Sequence, residues 1–332
     1  DTLPFAYSNG PVYFQGPTFN ASDPYGYAGE NMINYYDHNG TYVRNLTDLV
    51  GGMTTGDEIF VKASDGMTRY FNYTNVYTPS SNQGELVLAW WDSVGGYVPS
   101  YSEGIRLFFY TPKTGSYGIA DSLNFTLVDM RDSLAPWYRY NYSGTWPSAK
   151  GLSVKYVRYL YIYPPHRYDF NTTGDTTEWA YEGGVGATPG MNEPNTAFGS
   201  TSAIADNDGD SYQTDSISVG EYAAHRFVFN ISENPNNIES LVITWIGEGT
   251  NESGSNGADL YIWNGSSYEL LQGDTSSGEI TLSGEKTSAI SSYISGGNVV
   301  VLVKQKSATN TEYDSLIETN YVKIKVTHHH SN

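Results

Sequence analysis

The chain has no cysteine among its 332 residues, so neither a disulfide framework nor a thiolate metal site can contribute to it. Cationic residues are scarce too: 17 Lys and Arg stand against 36 Asp and Glu, a net charge of −19. A surface of that sign repels phosphate backbones, which excludes nucleic acid as a partner, and attracts counter-ions, divalent cations above all. Long apolar runs are missing. One apolar run, Val299 to Val303, falls far short of the ~18–20 residues that span a bilayer and reads as a buried strand, so no membrane span is expected. Catalytic signatures are missing as well: there is no Gly-x-Ser-x-Gly elbow, no phosphate-cradling Gly-Lys-Ser/Thr loop and no His-Glu-x-x-His frame. No spacing nominates a carboxylate pair for glycoside hydrolysis, and the chain reads as a non-enzyme.

Asparagine in one particular context is abundant. Ten Asn-x-Ser/Thr sequons occur, at Asn20, Asn39, Asn45, Asn72, Asn124, Asn141, Asn171, Asn230, Asn251 and Asn264, where the 26 asparagines would give about five by chance. Sequons imply an extracellular, cell-surface glycoprotein, and a eukaryotic secreted chain would usually carry disulfides as well. Sequons without cysteine point to an archaeal cell surface. The opening Asp1-Thr2-Leu3-Pro4 reads as a mature terminus after cleavage of a leader.

Apolar content of 39% and 30 tyrosines specify a globular chain, and its length predicts two domains. Period-two alternation dominates, so the fold class is mainly β. Strands are expected at 59–63, 67–77, 85–91, 105–111 and 152–163. In the second half Phe227, Phe229 and Ile231 alternate with Arg226, Val228 and Asn230, Leu241, Ile243 and Trp245 repeat the spacing, and Val322, Ile324 and Val326 alternate with lysines. Helix is expected only at 45–50 and 286–294, each closed by a Gly-Gly pair. The divisions are an extended N-terminal arm over 1–36, a β-rich domain with a minor α component over 37–165, a linker over 166–176 after Pro164-Pro165, a jelly-roll-like β-sandwich over 177–327, and a tail over 328–332. The arm either packs on its own domain or donates a strand to a neighbouring subunit.

Two stretches carry a family resemblance. The run Gly51-Gly52-Met53-Thr54-Thr55-Gly56-Asp57-Glu58-Ile59-Phe60-Val61-Lys62, followed by Gly84-Glu85-Leu86-Val87-Leu88-Ala89-Trp90 and Tyr161-Ile162-Tyr163, resembles a domain of secreted methanogen surface proteins over about residues 35–165. That domain is distantly similar to the molybdopterin-binding fold of sulfite-oxidase-like enzymes. Those enzymes hold their metal through a cysteine, so the resemblance implies no molybdopterin here, and no haem is expected. The second half, through His225–Phe229, Leu241–Trp245 and Asp259–Asn264, looks like the jelly-roll-type sandwiches of archaeal envelope proteins, which implies lattice, sheath, filament or adhesive roles.

The strongest local site is Asp206-Asn207-Asp208-Gly209-Asp210 with Asp215 beyond it. Alternate carboxylates about a glycine turn can converge on Ca²⁺, although Gly209 precedes the third carboxylate where an EF-hand glycine follows it, Ile217 stands where an EF-hand has its glutamate, and the bland alternative is an Asx-rich turn. The histidines offer no zinc frame: His225 reads as a satisfied strand residue, His38 and His166 as loop residues, and His328-His329-His330 as a solvated tail. Tyr156, Tyr159, Tyr161 and Tyr163 could ladder along one strand or form a subunit contact. Trp179, Trp245 and Trp263 could stack on sugars or fill the core. The leading expectation is a self-associating structural subunit whose partners are copies of itself. The alternative is an adhesin that binds cell-envelope polysaccharide.

Overall fold

The computed structural model describes residues 3–8, 12–14, 32–81, 83–110, 133–142, 146–171, 177–216 and 218–332. The chain is mainly β, and it divides into two compact units, Asp1–Pro164 together with His329–Asn332, and Pro165–His328. No helix among the described residues is long and apolar enough to cross a membrane.

The first unit holds a five-stranded antiparallel sheet (Phe5–Ser8, His38–Tyr42, Glu85–Asp92, Gly96–Tyr97 and Arg106–Tyr110) and a three-stranded one (Val157–Tyr163, Glu58–Ala63, Thr68–Asn72). Ile59, Val61, Phe71, Leu86, Val87, Leu107 and Phe109 fill its core. The helix expected at 45–50 spans Val43–Asp48. The strand expected over 67–77 breaks at Asn72, which caps a helix over Tyr73–Tyr77 in a reciprocal pair of hydrogen bonds with Asn75. The first described stretch of the arm is no free segment: Phe5–Ser8 pairs with His38–Thr41 of its own chain. It lies with Ala6 and Ser8 buried and Phe5 and Tyr7 outward, the reverse of what its apolar alternation implies.

The tail differs most from expectation. His329 is buried, and its ring stacks on Trp137. Its Nδ1 lies 2.5 Å from the Tyr138 hydroxyl, which donates to Glu58 Oε1 at 2.7 Å, while His330 Nδ1 donates to Glu58 Oε2 at 2.6 Å. Asn332 bonds to both the N–H and the C=O of Tyr70. Burial alone would raise the Glu58 pKa; the hydrogen bonds from His329, His330 and Tyr138 outweigh it and hold the carboxyl below its ordinary value. A buried carboxylate needs donors, and the tail supplies them.

The second unit is a β-sandwich, entirely antiparallel. One sheet is built around the fourteen-residue strand Ser315–His328. Along one edge it pairs with Ile238–Asn251, itself joined to Ile280–Lys286. Along the other edge lie, end to end, Tyr212–Ser216 and His166–Asp169. Residues 166–169, expected as linker, are therefore a strand: Tyr168 packs against the core, and Pro165 lies just before the first paired residue, His166. The opposing sheet runs Thr196–Ala197, Glu178–Val185, Tyr222–Asn230, Asn298–Gln305, Ala258–Trp263, Tyr268–Asp274. The helix expected over 286–294 is absent. A strand ends at Lys286, and Ile290–Tyr293 is one 3-10 turn, in which the hydroxyl of Ser292 bonds back to the Ala289 carbonyl. Serine competes in this way with helix propagation.

Both sheets contribute alternate residues to one core: Phe227, Phe229, Leu260, Ile262, Val299, Val301 and Val303 from one, Leu241, Ile243, Trp245, Leu282, Ile317, Val322, Ile324 and Val326 from the other. A chain of hydrogen bonds crosses this core. Trp245 Nε1 donates to Thr319 Oγ1 at 2.8 Å; Thr319 Oγ1 lies 2.8 Å from His225 Nδ1; His225 Nε2 lies 2.9 Å from Thr214 Oγ1; and Thr214 donates to Glu182 Oε2 at 2.6 Å. The indole can only donate and the carboxylate only accept, so the polarity is fixed throughout. Thr319 donates to Nδ1, and the proton of the imidazole sits on Nε2.

A protonated His225 would put a second donor against Thr319, and burial already drives its pKa down to about 3. The unfolded chain takes up that proton near pH 6.5. The stability due to His225 is therefore complete above that pH and is lost progressively as pH falls from about 6.5 toward 3, at up to about 1.4 kcal/mol per pH unit. Urea unfolding followed by tryptophan fluorescence at pH 7, 5 and 4 should show this decline, and His225→Gln should be less stable at pH 7 but flatter against pH.

Candidate functional site

The same alternation that buries one face of the six-stranded sheet presents the other. Its outward residues fall in rows across the strands. Trp179, Val228 and Val300 are in register, and Trp263, one residue beyond the Ile262–Val301 pair, completes that row. The next row is Tyr181, Arg226, Leu302 and Tyr261, and the next Gly183, Ala224, Lys304 and Asp259. Trp179 and Trp263 thus stand three strand spacings apart, about 14–15 Å.

The segment 187–195 lies over part of this face. It is tied down by Arg226 Nε, which donates to the Pro194 carbonyl at 2.8 Å, and by the Tyr268 hydroxyl, which donates to the Met191 carbonyl at 3.0 Å. Gly183, at φ +143°, allows the close approach: a Cβ there would meet the Pro194 ring at 3.3 Å. Two depressions result. One of about 300 Å³ is bordered by Trp179, Tyr181, Asn192, Asn195, Arg226 and Asn298. The other, of about 100 Å³, is bordered by Tyr261, Tyr268, Leu302 and Lys304.

Two cations define the electrostatics. Arg226 is 5% exposed, with its guanidinium 4.0 Å from the centroid of the Tyr181 ring; Lys304 is 8% exposed, with its ammonium 4.1 Å from that of Tyr222. These are cation–π geometries. Among the described residues neither makes a carboxylate ion pair, and Asp259, the nearest acid to Lys304, is bonded by Lys306. Burial lowers both pKa values, offset for Arg226 only by the Tyr268 and Tyr181 hydroxyls and for Lys304 by Asp259. Diagonal neighbours on adjacent strands, they sit about 7–8 Å apart at the backbone.

The residues singled out by sequence are distributed differently. Trp179 is 40% exposed and Trp263 half-buried, but Trp245 is fully buried on the opposite sheet, so the three share no platform. Asp206, Asp208, Asp210 and Asp215 are all exposed or half-buried at the surface. Asp206 accepts from the Asn171 amide, Asp208 from the Asp210 N–H at 3.1 Å, and Asp215 from Gln213 at 3.2 Å. Among the described residues these four do not form a group of three converging ligand atoms; they are arranged as a turn and a strand edge. Tyr159, Tyr161 and Tyr163 do stack in series, at 5.8 and 6.5 Å, with each ring about 40% exposed. Tyr156, at φ 53°, precedes their strand.

Of the sequons, Asn20 and Asn124 lie outside the described residues. Asn141 and Asn171 are exposed; Asn39, Asn45, Asn72, Asn230 and Asn264 are half-buried; Asn251 is buried. Several of these side chains are engaged in the fold: Asn72 caps its helix, Asn171 Nδ2 donates to Asp206, Asn230 Nδ2 donates to Asn298 at 2.9 Å, Asn251 Nδ2 donates to the Asp314 carbonyl at 3.0 Å, and Asn264 Oδ1 accepts from the Ser266 and Ser267 N–H groups at 3.1 and 3.0 Å.

Residues 175–328 match a protein-family profile described as the C-terminal domain of an uncharacterized protein. A relative in Archaeoglobus fulgidus, itself an uncharacterized protein, is 31% identical over 120 residues, which is 34% of this chain and 20% of the relative. The chain thus spans about a fifth of the length of that curated relative. Among solved structures, the xylan-binding domain CBM22-1 of Paenibacillus barcinonensis Xyn10C aligns over 49% of this chain and 94% of its own, at 10% identity and a TM-score of 0.23. The K1 cleaved adhesin domain of the Lys-gingipain of Porphyromonas gingivalis W83 aligns over 51% and 99%, at 11% identity and a TM-score of 0.26. At such scores neither likeness carries a functional argument, and the reading of the site rests on its own residues.

Accessibility of the amide nitrogen sets what a glycosyltransferase can reach on the folded chain. When the protein is made in a glycosylating host, peptide mapping by mass spectrometry should find Asn141 modified and Asn251 unmodified; a glycan on Asn251 would mean that the edge it belongs to opens before modification.

Proposed function

We propose that the chain is a non-catalytic cell-surface protein whose sandwich unit binds polysaccharide on the outer face of its six-stranded sheet. The observation that carries this reading is the juxtaposition there of the exposed Trp179 ring, half-buried tyrosines, side-chain amides and two cations that make no carboxylate ion pair among the described residues. A pyranose ring offers an apolar face for Trp179 and Tyr181 and hydroxyls for Asn192, Asn195 and Asn298. Arg226 and Lys304 add a preference for sugars bearing carboxylates, because a desolvated cation that makes no carboxylate ion pair is stabilised by an incoming anion. The separation of Trp179 from Trp263 suits an extended polymer rather than a single sugar. The sequons and the lack of cysteine support a place outside the cell.

Affinity electrophoresis and calorimetry against polygalacturonate and alginate, with xylan and cellulose as neutral comparisons, test the assignment. Acidic polymers should be retained, less so at high salt. Trp179→Ala should weaken binding about tenfold, equivalent to ~1.4 kcal/mol, with an unchanged melting temperature. Failure to retain any of the four polymers sinks the reading.

A second reading, self-association as a structural subunit, is favoured by one feature of the first unit. Val157–Tyr163 is an edge strand of its three-stranded sheet, and Tyr159, Tyr161 and Tyr163 stack beside Phe60 and Tyr70 on one exposed face. An edge that, beyond the Val157 N–H bond to Ile105, pairs with no further strand among the described residues and bears aromatic rings is a template for another chain. Sedimentation velocity across a concentration series should then show association that is lost in a Tyr159→Ser, Tyr161→Ser, Tyr163→Ser variant. A monomer at every concentration removes this reading and leaves the glycan site untouched.

A further inference from the structure

Three residues far apart in sequence meet at one corner of the sandwich unit. His166 opens the first strand of the unit, His328 ends the last, and Glu233 lies in the segment that leads from Tyr222–Asn230 in one sheet to Ile238–Asn251 in the other. The strands of His166 and His328 are antiparallel neighbours, with His166 opposite Val326, and the two imidazoles lie 4.6 Å apart between centroids. One ligand atom from each of the three residues falls within 4.8 Å of the others. His166 Nδ1 already contacts Glu233 Oε1.

We infer that His166, Glu233 and His328 form a binding site for a divalent transition metal ion of the zinc type. Two imidazoles and one carboxylate with an open fourth position are a recurrent zinc donor set, and they disfavour calcium and magnesium, which take oxygen ligands. Around a tetrahedral ion with bonds of ~2.0–2.1 Å the donor atoms stand about 3.4 Å apart, so the group must draw in by about an ångström. The His166 side chain is 51% exposed and has room to swing, whereas that of Glu233 is 2% exposed and fixed. What fixes it is Tyr168, whose hydroxyl lies 2.9 and 3.1 Å from the two carboxylate oxygens and accepts from the Ser232 N–H at 2.9 Å. Orientation of a ligating carboxylate by an outer hydrogen bond is the arrangement that metal sites use. The bound ion would clip the first strand, the last strand and the crossover between the sheets at one point, in a chain that has no disulfide to do so. The site is independent of the glycan-binding face.

Its test uses the full chain, stripped with chelator and dialysed. Isothermal titration with ZnCl₂ should give one ion per chain and thermal unfolding a melting temperature raised by several degrees, while CaCl₂ should do neither. Cobalt(II) in place of zinc should develop the visible bands of a four-coordinate ion. His166→Ala, at an exposed position, should abolish all three signals without altering the metal-free melting temperature. A His329→Ala, His330→Ala double variant should retain them, since those side chains face Glu58 and Tyr138. Absence of zinc binding, zinc binding that survives His166→Ala, or zinc binding lost in the double variant overturns the assignment, the last by transferring it to the tail.

Discussion

The sandwich depends on a hydrogen-bond chain that cannot be reversed. Trp245, Thr319, His225, Thr214 and Glu182 hand a donor along from one sheet to the other, and each interior member both gives and receives. A buried polar group costs little only when it is fully satisfied, so the chain acts as a register pin. A slip of one residue along Tyr222–Asn230 would move His225 to the outside and leave the Thr319 hydroxyl in the core without its imidazole partner. Apolar packing supplies most of the stabilisation, but it tolerates many arrangements. The polar chain selects one of them, and with it the rows of residues on the outer face.

That selection explains how the two faces of one sheet serve different purposes. Along Tyr222–Asn230 the inward residues are Ala223, His225, Phe227 and Phe229, and the outward ones Ala224, Arg226 and Val228. Along Asn298–Gln305, three valines point inward while Val300, Leu302 and Lys304 point outward. Both strands look almost uniformly buried, because the 187–195 segment and the tyrosines shelter the outer face. The shelter is incomplete at Trp179, 40% exposed, and the depression beside it reaches down to the buried Arg226.

The sequence made the strands legible because period two survives wherever one face is buried: 227–231, 241–245 and 322–326 all read correctly. It misled where a local hydrogen bond outvoted periodicity, as at Asn72 and Ser292. It misled at the tail, where three histidines read as solvent-loving but two find a buried Glu58 about 270 positions earlier, a pairing that no local pattern can announce. The candidate site was visible only to a limited extent. Trp179 could be named from sequence, but whether a tryptophan faces core or solvent depends on which sheet receives it, and Trp245 and Trp179 went opposite ways. Arg226 and Lys304 gave no signal, since a lone cation in an alternating strand reads as a solvated face. That neither makes a carboxylate ion pair among the described residues is a property of neighbours brought in by the fold. The Asp206–Asp215 run drew attention because acidic residues cluster visibly in one dimension, whereas the donors that converge in three dimensions come from positions 166, 233 and 328.

The neighbouring placement of the first and last strands of the sandwich also fixes how it would answer a mechanical load. His166–Asp169 lies antiparallel to the end of Ser315–His328, so tension applied through the two ends of the unit meets the pair at its open end. The bonds between them lie across the strands, along the pulling direction, and would break in succession, as a zipper opens, rather than together in shear. The corner occupied by His166 and His328 is the first tooth of that zipper. Whatever strengthens the corner sets the force at which the sandwich begins to open.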